Sequence, residues 1–201
     1  MWYFIKQSIF LVGLMFFMMT TSLLILRIGV PIAEFFLSLL NLGLYSTAII
    51  LIFYKEGQTA WKLRQSNDIE RRNIIATGKN IPLKTTPEYK AWKGFIFGII
   101  SCLPMMIMLI VHAIMGDTSG GTSAGSVCSV MHYVFWLPYF ELRATLTPGF
   151  IPGFVDYFGV LYAVVLMSFL TFIGYYAGAR KLQRAQDKVE MRKKEIESGK
   201  F

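Results

Sequence analysis

Polar and apolar residues are sorted into blocks along this chain. Four blocks are apolar and long: about Gln7–Leu26, Pro31–Tyr54, Gly94–Met115 and about Tyr157–Ala179. The second holds one acid, Glu34, and the third and fourth hold no charge. At about 1.5 Å of rise per residue, roughly 20 residues cross a hydrocarbon core of about 30 Å. The pattern predicts an all-α integral membrane protein with four transmembrane helices in a bundle. A fifth apolar block, Val127–Leu142, is shorter, carries His132 and is interrupted by Pro138.

The basic residues decide how the blocks thread. The stretch Lys55–Lys93 holds nine Lys and Arg, and Arg180–Phe201 holds eight. Gly116–Asp156 holds one, Arg143. Cytoplasmic loops carry the positive excess, so the two basic stretches belong on the same, inner side. An even number of crossings must separate them. That predicts N-in and C-in topology, and it makes Val127–Leu142 an interfacial or re-entrant outer helix. The chain then reads as a single membrane domain, 1–201. It has a basic cytoplasmic loop (55–93), an extracellular loop with an interfacial segment (116–156) and a basic cytoplasmic tail (180–201).

Composition agrees. Of 201 residues, 55% are hydrophobic and 16% charged, against about 25% charged in soluble domains. A disordered chain is excluded and an ordinary soluble globule is disfavoured. The first block follows Lys6 like a signal peptide, but it is long and no small-x-small cleavage site follows it. A retained helix is expected there. The net charge of +8 comes mainly from the 17 cations that flank spans on one face. It points to anionic lipid headgroups and not to nucleic acid, since Tyr89 and Trp92 sit where an interfacial aromatic belt belongs.

Between the spans, Lys55 to about Ile75 is expected to be helical, with Asn67-Asp68 as a possible cap. Gly78 and the Pro82–Pro87 stretch end it. The tail from Arg180 to Ser198 reads as a solvated helical extension of the fourth span. Its Leu182, Val189 and Ile196 recur every seven residues, but Ala185 and Arg192 between them do not support a coiled coil. Gly116–Ser126 is a Gly/Ser/Thr tract, and Thr147–Phe154 repeats Pro-Gly-Phe turn chemistry.

Candidate chemistry is sparse. Gly121-Thr-Ser123-Ala-Gly125 matches G-x-S-x-G, yet no strand precedes it and it lies in a low-complexity tract. Cys102 and Cys128 form no disulfide framework or metal spacing, so no cofactor, metal site or catalytic residue is expected. The polar residues near the outer half define a possible cavity: Glu34, Asn41, Tyr45, His112, His132 and Glu141. Glu34 has a second reading, an acid complementing the first turn of its helix. Gly94 and Gly98, and Gly174 and Gly178, are small residues four apart that allow close helix packing. Both pairs fall at the same depth, which predicts one contact between the third and fourth spans. Pro104 is expected to kink the third span.

Arg72-Asn73 with Gly78, Lys93-Gly94-Phe95 with Gly98 and Pro104, and Gly174-Tyr175 with Gly178 together resemble an uncharacterised family. It comprises small multi-pass membrane proteins of Firmicute-type Gram-positive bacteria. The resemblance implies a bacterial plasma membrane and a compact helical bundle. It implies no activity. The expected function is a non-enzymatic accessory, assembly or regulatory subunit of a membrane complex, with a membrane protein partner. The alternatives are a small transporter or substrate-binding subunit using the polar outer cavity, and an outer-face hydrolase using His132, Glu141 or Ser123.

Overall fold

The computed structural model describes residues 2–25, 27–78, 82–115 and 152–198. These form four helices and no strand: α1 (Trp2–Ile25), α2 (Pro31–Thr77), α3 (Lys93–Met115) and α4 (Pro152–Glu197). Val127–Leu142, the Gly/Ser/Thr tract, Cys128, His132 and Glu141 lie outside the described residues.

Two stretches, Trp2–Ser22 and Ile32–Thr77, are long and apolar enough to cross a membrane, and Lys93–Pro104 is a shorter apolar stretch. Only 24% of the first apolar window and 22% of the second are buried inside the bundle. The rest faces outward, including Phe10, Phe17, Leu24, Ile32, Phe36 and Leu44. The interior is narrow and aromatic. Leu11, Ile49, Phe53, Phe97, Cys102, Met167 and Tyr175 are almost completely buried in it.

Side-chain contacts fix the helix directions. Thr21 and Ser22 of α1 meet Asn41 of α2, while Tyr3 and Gln7 meet Glu56, so α1 and α2 are antiparallel. Gly94 and Gly98 of α3 meet Phe172 and Ser168 of α4, again antiparallel. Tyr45 meets Met167 and Trp61 meets Gln186, so α2 and α4 run parallel and side by side. Successive helices therefore alternate in direction. The polar ends of α2 and α4 emerge together at one end of the bundle.

Local chemistry explains the boundaries. Gly29, at φ 72°, turns the chain between α1 and α2, and Pro31 opens α2 where its missing N–H is not needed. The α2 helix then continues unbroken for 47 residues, about 70 Å, well past its apolar part. It stops at Gly78, whose left-handed conformation (φ 66°) lets its N–H reach the Ile74 carbonyl at 2.8 Å. Two boundaries differ from the sequence reading. The α1 helix starts at Trp2: Tyr3 and Gln7, one turn apart, both bond Glu56 of α2, and the exposed Lys6 between them does not end the helix. The α4 helix starts at Pro152, where a proline can occupy the first helical turn. Asn67 does not cap a new helix; it is mid-helix and buried. Pro104 lies inside α3 without ending it.

Candidate functional site

The end of the bundle where α2 and α4 turn polar carries the most built structure. Its foundation is a seam where the two helices touch backbone to backbone. A Cβ added at Gly178 would lie 2.0 Å from the Tyr54 carbonyl oxygen, and one at Gly57 would lie 2.0 Å from the Tyr175 carbonyl oxygen. One at Gly174 would lie 2.5 Å from the Ile50 carbonyl oxygen. Only glycine allows that approach. On the other side of α4, Gly98 lies against Ser168 and Gly94 against Phe172. Thr171 also donates to the Gly94 carbonyl at 2.8 Å. The four predicted glycines thus serve two contacts and not one. Gly94 and Gly98 join α3 to α4, whereas Gly174 and Gly178 face α2. Residues four apart share a helix face, but nothing in the spacing says which neighbour that face meets. Gly57, the reciprocal partner on α2, has no i+4 glycine and gave no signal.

Above the seam, the segment from Pro82 to Trp92 folds back along α2. The Tyr89 N–H donates to the Ala60 carbonyl at 3.1 Å. Asn67 donates its amide to the Lys84 carbonyl at 3.0 Å and to the Glu88 carboxylate. Arg71 bridges Asp68 at 2.8 Å and Glu88 at 2.7 Å. Lys93, 4% exposed, donates to the carbonyls of Thr86 and Glu88. Desolvation holds its pKa below the ordinary lysine value; nearby Lys90 acts the same way and Glu88 opposes it. Tyr89 stacks on Tyr175 at 5.2 Å and meets Trp61 edge-on at 5.4 Å, and its burial raises the phenol pKa. The segment is thus pinned by a hydrogen-bonded frame at its polar end and a ring stack at its apolar end.

Two basic grooves result. One, of about 540 Å³, runs along α4 and is lined by Tyr54, Tyr176, Arg180, Lys181, Arg184 and Lys188 among others, with no acid in its walls. The Lys181 ammonium sits 5.8 Å from the Tyr54 ring centre. The second, of about 580 Å³, opens between α2 and the folded-back segment. Four cations and one carboxylate line it.

Of the polar residues predicted to share an outer cavity, Glu34, Asn41 and Tyr45 have described side chains, and each has a different partner. The Glu34 carboxylate accepts the Gly29 N–H at 2.8 Å and so closes the turn before its own helix. Asn41 accepts from Thr21 and donates to Ser22, both at 3.2 Å. Tyr45 is buried and points its hydroxyl at the Met167 sulfur, 3.6 Å away. His112 lies on α3, with its side chain outside the described residues, as are His132 and Glu141. Among the described residues no three His, Cys, Asp or Glu side chains gather as metal ligands. Sequence reasoning missed Glu56. It accepts from Tyr3 at 2.8 Å and Gln7 at 3.1 Å and ties the start of α1 to α2. Its position just past the second apolar block concealed it among the basic residues of the loop. No family model, curated protein or solved structure matches the chain.

Proposed function

We propose that this chain is a four-crossing membrane protein with both basic stretches in the cytoplasm, and that it works as a non-enzymatic accessory, assembly or regulatory subunit of a membrane complex. One observation carries the reading. Around its aromatic core the bundle also turns many large apolar side chains outward, while several buried polar side chains bond across to neighbouring helices. Soluble monomers rarely expose contiguous apolar patches above a few hundred Å². Here Phe10, Phe17, Leu24, Phe36 and Leu44 are each more than 60% exposed. Meanwhile Ser8, Asn41 and Thr171 each hydrogen-bond to an adjoining helix. Such bonds hold helices together in lipid. Polar groups used as joints leave the outer apolar faces and the basic arms as the surfaces for partners. The acid-free groove at Tyr54 and Tyr176 suits contact with anionic headgroups of the inner leaflet of a bacterial plasma membrane.

Membrane residence and the subunit role are tested together. The protein should stay with membranes after an alkaline carbonate wash. A photo-crosslinking residue at Phe36 or Leu44 should then give one discrete, saturable protein adduct. Release by carbonate refutes the membrane reading. Adducts with lipid alone at every outward position refute the subunit role.

A further inference from the structure

The groove between α2 and the folded-back segment has features of a binding site that structural duty does not use up. Its walls include Arg64, Arg71, Lys90, Lys93 and one acid, Glu88. That acid is already committed, since its Oε1 takes both Asn67 and Arg71. Lys93 is a buried ammonium held by two carbonyl oxygens, with no carboxylate within ion-pair distance among the described residues. A buried charge is ordinarily paired. Arg64 lies against the Trp61 ring at 5.5 Å, a contact that leaves its N–H groups available, and Lys90 is exposed. Thr85 and Thr86 add two exposed hydroxyls to the same wall. The backbone that carries these groups is fixed at Asn67, Ala60 and Lys93, so they need little ordering to act together.

The geometry points to a phosphate-binding site in this groove, formed by Arg64, Lys90 and Lys93 with the Thr85 and Thr86 hydroxyls, for a phosphate monoester or inorganic phosphate at the cytoplasmic edge of the bundle. Cations with hydroxyl donors in a partly desolvated wall match a tetrahedral dianion, which accepts several short charge-assisted hydrogen bonds. The third N–H of Lys93 and the fork of Arg64 supply donors with no other partner among the described residues. Phe4 and Trp92 close the side towards the apolar zone. The phosphate can therefore arrive on a soluble molecule or as the headgroup of a lipid. The site is separate from the α4 groove and holds whether or not the chain serves as a subunit.

The test uses the full chain in phosphatidylcholine nanodiscs, read by tryptophan fluorescence. Inorganic phosphate is titrated against chloride at matched ionic strength. In a second arm, phosphatidic acid replaces part of the lipid. Saturable binding of inorganic phosphate assigns a soluble ligand, and a response to phosphatidic acid alone assigns a headgroup; either supports the site. The R64Q/K90Q variant should bind at least tenfold more weakly, whereas R72Q/K194Q, with the same loss of charge elsewhere, should bind like the parent. T85A/T86A alters only exposed hydroxyls and should weaken binding several-fold without loss of fold. No saturable response in either arm, or equal weakening by the two charge variants, overturns the proposal.

Discussion

Gly178→Ala is the sharpest probe of the α2–α4 seam. The new methyl would sit 2.0 Å from the Tyr54 carbonyl oxygen, where ordinary contact begins near 3.4 Å. The atoms it meets are backbone, so no side chain can rotate away. The helices must move apart by about 1 Å or more. A gap of 0.5–1 Å forfeits about a quarter to a half of each contact's attraction, itself about 0.1–0.2 kcal/mol. Over the few dozen atom pairs that such a seam brings together, the loss is about 3 kcal/mol, at the top of the usual overpacking range. Alanine returns about 1 kcal/mol through its better helix propensity, leaving a net loss of about 2 kcal/mol. Gly43→Ala is the matched control, because nothing lies within 4 Å of its added Cβ. It should be neutral or stabilise by up to about 1 kcal/mol. Unfolding both variants by SDS titration in mixed micelles should separate them by about 3 kcal/mol. Stabilities within about 0.5 kcal/mol of each other would mean that the helices do not meet backbone to backbone at Gly178.

Three further outcomes are expected. Tyr3→Phe removes a hydrogen bond to the Glu56 carboxylate and should cost about 1.5–3 kcal/mol, seen as faster amide exchange confined to the first turns of α1; unchanged exchange there would refute the tie. Glu88→Gln deprives Asn67 and Arg71 of their shared carboxylate, so trypsin should cut at Lys84 or Lys90 roughly tenfold faster, equivalent to about 1.4 kcal/mol of local opening. Single cysteines placed at Gln65 or Ser198 in a chain with Cys102 and Cys128 replaced by serine should resist an impermeant thiol reagent in intact cells and react after permeabilisation, and labelling of either from outside would overturn the N-in, C-in topology.

Element type was legible in the sequence because long uncharged runs and Gly78 leave few choices. The helical extension through Lys55–Ile75 was legible as well, since no proline interrupts it. Pairing was not legible. Gly174 and Gly178 announced a close contact without naming α2 as the partner, because a small-residue face carries no address. Glu34 offered two readings, and the bond to Gly29 shows the carboxylate used in its own turn. The folded-back segment was the least legible part. Its bonds from Asn67, Arg71 and Lys93 run to backbone carbonyls and a single acid up to 21 residues away, with no periodic spacing to reveal them.

The unbroken passage of α2 beyond its apolar part has a consequence for the headgroup layer. A helix that ends at the bilayer surface leaves its last four carbonyls there, together with the negative end of its macrodipole, and nearby lysines and arginines are drawn into capping them. Here the helix carries on from Tyr54 to Thr77, about 34 Å further, before its final carbonyls are released beside Gly78. In the proposed membrane arrangement every peptide group of α2 at headgroup depth would stay inside the helical hydrogen-bond ladder. Under the four-crossing proposal the same would hold for α4, which runs on to Glu197. The dipole ends are displaced into water, where solvent and salt screen them. On that proposal the cations at the membrane surface would be relieved of capping, and their charge directed outward.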